Sequence, residues 1–395
     1  MHNDPIVIVG AARTPIGGLQ GDFATLSANE LGAVAITAAL ERAGLNAEAV
    51  DKVIMGCVLP AGQGQAPARQ AALKAGLPQA TGCTTVNKMC GSAMEATMLA
   101  HDALLAGSEN IIVAGGMESM SNAPYLLPKA RGGMRMGHGT VYDHMFLDGL
   151  EDAYDKGKLM GVFAEQCAER YAFTREAQDE FALRSLSRAR TANEDGSFKW
   201  EIAPVTVSGR KGDAIIDRDE QPAKANPEKI PSLKPAFRKD GTVTAANSSS
   251  ISDGAAALVV MSAAAAAERG LKPLARILAY ASNAQEPEWF TIAPVGAIRK
   301  VLTQLNWKPH DADLYEINEA FAVVTMAAMR DIDIDPARVN VNGGACALGH
   351  PIGATGARIL TTLIHALRRR GGRRGIAALC IGGGEAVAVA VETLS

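Results

Sequence analysis

A cysteine followed by a small-residue turn is the first candidate for chemistry in this sequence. Residues 87–93 read NKMCGSA, and an apolar helical pattern follows Cys90 and the Gly-Ser pair. A cysteine at a helix N-terminus meets free backbone amides and the positive end of the helix dipole, which stabilise a thiolate and lower the pKa of the thiol. A buried structural cysteine is the plainer alternative. The Gly-Ser turn favours a nucleophile.

A glycine-rich loop late in the chain carries the second candidate. Between Asn340 and Gly356, five glycines surround His350, which Pro351 follows. So many glycines are costly in conformational entropy and indicate a backbone shaped around a ligand. An imidazole there can take a proton from a thiol or hydroxyl at neutral pH. A structural histidine is the weaker alternative, because Pro351 suits the first turn of a following helix.

Two further segments place polar groups at the ends of predicted strands. Cys380 ends an apolar run just before the glycines 382–384, where it can project into a cleft, although a small core residue fits equally well. Asn318 follows the apolar run 314–317 and is predicted to open a helix that reaches Ala328. Its amide can orient a water or donate to an oxyanion, and a plain helix N-cap is the alternative.

Composition limits the class of protein. The 395 residues carry a formal net charge of −3, which argues against nucleic acid as a partner because phosphate binding needs a basic face. The arginines at 368–370, 373 and 374 follow an apolar run and are interpreted as cations near a helix C-terminus. Six cysteines without a CxxC pair indicate neither a disulfide framework nor a metal site. With no signal-peptide pattern and no apolar run of membrane length, we expect a soluble, cytoplasmic protein with reduced thiols and no membrane partner.

Strand-like runs alternate with helical patterns on both sides of an irregular middle segment. This alternation predicts a mostly parallel sheet covered on both faces. The middle segment contains a polar helix capped by Thr174, and we interpret it as an insertion that covers a site. Its His138 and His144 are candidates for ligand contact. Strands are predicted at 6–9, 52–55, 111–113, 255–261, 275–279, 314–317, 375–380 and 386–391, and helices at 30–41 and 93–105.

A weak internal repeat relates the two ends of the chain. Cys90 and His350 each open an apolar helix that leads to a strand, a glycine turn and a glutamate, Glu118 in the first copy and Glu385 in the second. Two copies of one fold, each placing a reactive group at a helix N-terminus, explain this pattern.

Together these motifs resemble the thiolase family over essentially the whole chain, and within it the biosynthetic type. Four separate catalytic motifs in the family's order do not readily arise by chance. The resemblance rests on residues 13–17 (RTPIG), 87–92 (NKMCGS), 115–120 (GGMESM), 318–322 (NEAFA), 340–344 (NVNGG), 349–353 (GHPIG) and 380–384 (CIGGG).

The resemblance implies an α/β fold, the thiolase fold. Two similar βαβαβαββ halves of five strands each are stacked in five layers, α-β-α-β-α, and an inserted loop domain covers coenzyme A. The corresponding ranges are 1–120 with 251–271 for the N-terminal half, 121–250 for the loop domain and 272–395 for the C-terminal half.

The resemblance also implies an acyl transfer through a thioester on Cys90. His350 would take the proton of that thiol, and Cys380 would remove a proton from the methyl group of a second acetyl-CoA. The carbanion would attack the acetyl-cysteine to give acetoacetyl-CoA, with thiolysis as the reverse and ping-pong kinetics. One oxyanion hole would use His350 and a water held by Asn318. The other would use the amides of Cys90 and Gly382, with each donor contributing about 3 kcal/mol.

Residues on the acyl and pantetheine side are implied in the same way. Ser249 matches the serine that lies beside the pantetheine of coenzyme A. Phe290 and Met160 stand where bulk favours a short acyl chain, and Phe321 belongs to the motif that contains Asn318. Leu159 stands where the family often has a histidine. No cofactor is implied, because the coenzyme A thioesters are substrates.

Several alternatives stay open at this point. The main one is a degradative 3-ketoacyl-CoA thiolase of broad chain length that serves β-oxidation. A non-catalytic, thiolase-like lipid carrier is disfavoured because such relatives tend to lose catalytic residues. A ketoacyl synthase is disfavoured because those enzymes commonly use histidine where Cys380 stands. Family members are usually dimers or tetramers, which predicts a homotetramer (a dimer of dimers) with a contact in residues 120–139.

Overall fold

Buried strands and apolar helices alternate in the N-terminal part of the chain. The computed structural model describes residues 4–210 and 212–394. The first strand is buried along its whole length, as expected for a strand covered on both faces. The strands are β1 (Ile6–Arg13), β2 (Gly17–Gly18), β3 (Lys52–Gly56), β4 (Gly82–Val86) and β5 (Ile111–Ser119), and the helices are α1 (Ala28–Ala43), α2 (Pro67–Lys74) and α3 (Ser92–Ala106).

The middle segment is largely irregular up to Leu159, as its lack of periodicity predicts. The predicted cap is confirmed, because the Thr174 side chain accepts a hydrogen bond from the amide of Ala177 at the start of a 20-residue helix. The elements are β6 (Tyr125–Leu126), β7 (Tyr142–Asp143), α4 (Met160–Tyr171), α5 (Arg175–Glu194), β8 (Val205–Val207), β9 (Ala214–Ile216) and α6 (Glu220–Lys224).

The α/β alternation returns in the last third of the chain. None of the helices in the described part of the chain is long and apolar enough to cross a bilayer. The elements are β10 (Ser252–Ser262), α7 (Ala263–Glu268), β11 (Ala275–Ala284), α8 (Ala293–Leu305), β12 (Leu314–Ile317), α9 (Ala322–Ile332), α10 (Ala345–Leu348), α11 (Thr355–Arg370), β13 (Arg374–Ile381) and β14 (Glu385–Thr393).

The strands form one ten-stranded sheet in the order β12-β13-β14-β11-β1-β10-β5-β3-β4, with β2 beside β10. A short antiparallel contact between β1 and β11 joins the two halves of this sheet. The prediction of a mostly parallel sheet is wrong. Among the paired strands of the described residues, only β3–β4, β3–β5 and β12–β13 are parallel. Strand β10 runs antiparallel to β1 and β5, and β14 runs antiparallel to β11 and β13.

The packing confirms the five-layer arrangement. Helices α1 and α2 cover the outer face of the N-terminal sheet half, and α8 and α9 cover the outer face of the C-terminal half. Helices α3 and α11 lie between the two halves and pack against each other in the central core. The N-termini of these two central helices therefore point towards one region. Cys90 lies just before α3, and His350 lies in the loop that leads to α11.

Two local predictions for the C-terminal half need correction. Of the five strands expected for this half, four are present in the described residues, β11 to β14, and the chain between α9 and α11 contributes to the sheet only a bridge between Tyr315 and Val339. A 3-10 turn precedes Val339, and Asn340 has a positive φ of 47°. The helix predicted from Asn318 begins at Ala322 instead. The residues before it are extended, since Phe321 forms a bridge to Ser248, and Asn318 therefore does not cap the helix.

A buried ion network attaches the middle segment to the first strand. The Arg13 side chain is fully buried and lies 2.7 Å from Glu201 and 2.7 Å from Asp219. An unpaired charge would be costly at this depth, so the three groups depend on one another. The contact fixes Glu201 and Asp219 against the end of β1.

Candidate active site

A single apolar cavity of about 380 Å³ brings together most of the residues that the sequence nominates. Its wall contains Cys90 from the N-terminal half, and His350, Cys380 and Gly382 from the C-terminal half. The predicted substrate contacts Leu159, Met160, Ser249, Phe290 and Phe321 line the same space. Asn318 lies just behind this wall, against the ring of His350.

Cys90 sits in a tight turn directly before α3. Met89 has a φ of 48°, a left-handed conformation that costs a non-glycine residue on the order of 1–3 kcal/mol. The turn is held by Ser92, whose hydroxyl donates to the carbonyl of Met89 at 2.6 Å and accepts from the amide of Lys88 at 2.9 Å. Gly91 is the N-cap of α3, so the predicted position of Cys90 at a helix N-terminus is confirmed.

The expected lowering of the Cys90 pKa is wrong. Burial raises the pKa of the Cys90 thiol to about 11, although the backbone amides of Gly382 and of Cys90 itself donate towards the sulfur and oppose the shift. Desolvation therefore outweighs the helix N-terminus at this position. The thiol is protonated at neutral pH, and a base must remove its proton during the reaction.

His350 is a buried histidine with a partner on each ring nitrogen. Its Nδ1 lies 2.7 Å from the hydroxyl of Thr355, and its Nε2 lies 3.5 Å from the side-chain nitrogen of Asn318. Burial, with a smaller contribution from the Arg358 guanidinium, lowers the pKa of His350 to about 3. The ring is therefore neutral at pH 7, which is the form that can accept a proton.

Cys380 lies near the end of β13, and Asn318 directly follows β12, the neighbouring strand. Cys380 belongs to β13, and the amide of Asn318 donates to the carbonyl of Ala378 at 2.9 Å, which continues the β12–β13 ladder. Burial raises the pKa of Cys380 well above its ordinary value, and the nearby Cys90 adds to the shift. The Oδ1 atom of Asn318 is buried and has no hydrogen-bond donor among the described residues. A water or substrate donor would satisfy it.

The three glycines after Cys380 form the turn of the β13–β14 hairpin. Gly383 and Gly384 have φ of 95° and 89°, which a residue with a side chain rarely adopts. The hairpin pairs Cys380 with Ala386, so the cysteine is held in a regular ladder while the Gly382 amide faces the cavity. The three glycines thus form the turn between β13 and β14.

The loop of His350 reaches the N-terminal half through a glutamate to which the sequence assigns no role. Glu118 accepts hydrogen bonds from the amides of Gly353 at 2.8 Å, Val58 at 2.9 Å and Leu59 at 3.0 Å. A side chain at Gly116 would overlap the carbonyl oxygen of Gly353. Burial raises the pKa of Glu118 to about 7, against the effect of these amides. Two signals could have singled it out, namely the repeat that pairs it with Glu385 and its place in the motif at residues 115–120.

The acyl end of the cavity is built from aromatic and apolar side chains. Phe290 packs edge-to-face on Phe163, and Phe321 packs edge-to-face on Phe237. Sequence reasoning missed several wall residues that sit in irregular segments, where no period indicates which side faces inward: Met89, Phe146, Leu150, Phe237, Ser248, Ser250 and Ile352.

The two histidines of the irregular middle segment are not part of the cavity. His144 is buried and lies 2.7 Å from Asp148, and its Nε2 accepts from the amide of Ala61. His138 is exposed. The suggestion that they contact a ligand therefore finds no support in the geometry of this cavity.

Comparison with known proteins agrees with this fold. The family description "Thiolase, N-terminal domain" matches residues 6–264, and "Thiolase, C-terminal domain" matches residues 271–393. The chain therefore belongs to the thiolase family.

Among its relatives, an acetyl-CoA acetyltransferase of Cupriavidus necator is 52% identical over 98% of this chain and 99% of its own length. One from Pseudomonas aeruginosa is 52% identical over 97% and 98%. The crystal structure of a Bacillus anthracis acetyl-CoA acetyltransferase superposes with a TM-score of 0.96 at 44% identity and covers 99% of both chains. An Ascaris suum thiolase in complex with coenzyme A superposes with a TM-score of 0.93 at 43% identity, over 99% of this chain and all of its own.

The raised pKa of Cys90 predicts slow alkylation of the resting protein. Between pH 6 and 9, the rate of Cys90 modification by iodoacetamide should rise about tenfold per pH unit, because only the thiolate reacts and the pKa is about 11. Peptide mass spectrometry measures this rate. N-acetylcysteine, with an ordinary thiol, is the reference and should level off about two pH units earlier. A rate that does not change from pH 6 to 9 would mean that the thiolate already exists.

Proposed function

We propose that the chain is an acetyl-CoA C-acetyltransferase, which joins two acetyl-CoA molecules into acetoacetyl-CoA and coenzyme A and also catalyses the reverse thiolysis. The observation that carries the proposal is the meeting of Cys90, His350 and Cys380, backed by Asn318, at one apolar cavity. The full-length relatives named acetyl-CoA acetyltransferase support the same activity.

The first half of the reaction loads an acetyl group on Cys90. Nε2 of the neutral His350 takes the proton of the thiol as the sulfur attacks the thioester carbonyl. The carbon–sulfur bond to coenzyme A then breaks, and the imidazolium returns the proton to the departing thiolate. The products are acetyl-Cys90 and free coenzyme A. Because burial lowers the pKa of His350 and raises that of Cys90, the separated ion pair is unfavourable, and proton transfer is coupled to the attack.

The second half forms the carbon–carbon bond. The thiol of Cys380 first gives its proton to Nε2 of His350. The Cys380 thiolate then removes a proton from the methyl group of a second acetyl-CoA, and the enolate oxygen accepts hydrogen bonds from the protonated Nε2 of His350 and from a water on Asn318. The carbanion attacks the carbonyl of acetyl-Cys90, whose oxyanion faces the amides of Cys90 and Gly382. Collapse releases acetoacetyl-CoA, the imidazolium of His350 gives its proton to the sulfur of Cys90, and Cys380 keeps the proton that it took from the methyl group.

Acetylation of Cys90 itself prepares Cys380 for this role. The acetylated sulfur has no proton to give, so Nε2 of the neutral His350 is free to take the proton of Cys380. The Cys380 thiolate would therefore form once Cys90 carries its acetyl group.

The remaining cavity residues would bind the substrate. Ser249 is proposed to contact the pantetheine arm, while Leu159 and Met160 at the start of α4 cover the reacting groups. The aromatic rings of Phe290 and Phe321 limit the space for the acyl chain. The cavity of about 380 Å³ must also hold part of the pantetheine, which favours a two-carbon acyl group. The proposal includes no cofactor or metal ion, since the thioester supplies the reactive carbonyl.

We also propose a cytoplasmic homotetramer. The support is a run of exposed apolar side chains in the irregular segment that was predicted to form the contact, Tyr125, Leu127, Met134 and Met136. Such a patch on the surface commonly marks an interface. Light scattering tests the assembly against the chain mass of 41.2 kDa. A monomer at micromolar concentration would contradict it.

Replacing either cysteine should separate the two half-reactions. A C90A variant should neither make nor cleave acetoacetyl-CoA, because no thioester can form. A C380S variant should still exchange labelled coenzyme A with acetyl-CoA, which needs only the first half-reaction, but should lose condensation by at least about a thousandfold. A C83S variant, altered outside the cavity, is the control and should behave as wild type. A C90A protein that still makes acetoacetyl-CoA would refute the covalent mechanism.

Chain-length preference follows from the aromatic wall. Thiolysis of acetoacetyl-CoA should exceed that of 3-ketohexadecanoyl-CoA by at least about a hundredfold in kcat/KM, because Phe290 and Phe321 close the acyl end. An F290A variant should accept longer chains better, and F181L, altered on α5 outside the cavity, should not. Equal rates for both substrates in the wild type would favour a degradative thiolase instead.

A further inference from the structure

The side chain behind the catalytic histidine is Thr355, the first residue of α11. It is fully buried, and its hydroxyl oxygen lies 2.7 Å from Nδ1 of His350. We propose that Thr355 is a positioning residue that holds His350 in the tautomer with the proton on Nδ1, so that Nε2 is free to take the proton of Cys90. This inference rests on the proposed function, in which His350 is that base.

The hydrogen bonds around Thr355 fix which nitrogen carries the proton. The hydroxyl of Thr355 donates to the carbonyl of Pro351 at 2.9 Å. A hydroxyl has one proton, so towards His350 the oxygen can only accept. Nδ1 must therefore donate, and in a neutral ring Nε2 is then the nitrogen without a proton.

The other side of the ring agrees with this assignment. Nε2 faces the side-chain NH2 of Asn318 at 3.5 Å, a group that only donates. A proton on Nε2 would point at that donor, and it would leave Nδ1 without the proton that it gives to Thr355. The Asn318 contact is compatible with the tautomer that the shorter Thr355 contact sets.

The surroundings make the hydroxyl difficult to replace. His350 and Thr355 are both buried, so water does not readily take the place of a lost partner. Thr355 is also held in place, because its amide donates to the carbonyl of Pro351 at 3.0 Å. Without the hydroxyl, a proton on Nδ1 would be buried and unpaired, and the ring would favour the other tautomer. Nε2 would then carry a proton and could not activate Cys90.

The test compares T355V, which keeps the shape but removes the hydroxyl, with T355S, which keeps the hydroxyl. The rate of Cys90 acetylation by acetyl-CoA in a rapid-quench experiment should fall by at least about tenfold in T355V. It should return to within a few fold of wild type in T355S, and the apparent affinity for acetyl-CoA should change little. A loss in T355S equal to that in T355V would overturn the proposal, and so would an unchanged rate in T355V.

The tautomer can be read directly in the wild-type protein. Magic-angle-spinning NMR of protein labelled with ¹⁵N-histidine resolves protonated from unprotonated ring nitrogens, and an H350N variant assigns the signal among the seven histidines. At pH 7, His350 should show a protonated Nδ1 and an unprotonated Nε2, and T355V should shift the proton to Nε2. A protonated Nε2 in the wild type would overturn the proposal even if T355V fails to fold. If the wild type forms no acetyl-Cys90, the proposed function fails, but the NMR assignment still decides the role of Thr355.

Discussion

The whole site depends on the contact that the His350 loop makes with the N-terminal half of the chain. The amide of Gly353 donates to Glu118 across a separation of 235 residues, and the Gly353 carbonyl lies against the backbone of Gly116. Neither half contains a complete set of reactive groups. Cys90 comes from one half and His350 and Cys380 from the other, so the cavity between them forms only when these loops meet at backbone distance.

The close approach also sets the electrostatics of the site. It buries the reactive groups, which keeps both cysteines protonated and His350 neutral in the resting protein. Charge then appears only while a substrate is present, next to donors that are already in place at Cys90, Gly382 and Asn318. A cavity of this kind suits a reaction that passes one proton among three side chains and stabilises two successive oxyanions.

Local features of the site could be predicted from the sequence, while features that depend on distant contacts could not. The turn at Cys90, the cap at Thr174 and the buried strands follow from residues close in sequence. The helix start at Ala322 was misplaced because a bridge from Phe321 to Ser248 holds the preceding residues extended. The predicted direction of the Cys90 pKa shift was wrong because the shift depends on burial of the thiol by the other half of the chain. Glu118 was missed because the amides of Gly353, Val58 and Leu59 that it binds are remote in sequence.

The central claim is that Cys90 alone carries the acyl group between the two halves of the reaction. Mass spectrometry of the protein, quenched in acid after brief exposure to acetyl-CoA, tests this claim most directly. The account predicts one acetyl group, on the peptide that contains Cys90, and its loss when excess coenzyme A is added before the quench. An acetyl group on Cys380, or acetoacetyl-CoA formed without any acetylated protein, would contradict it.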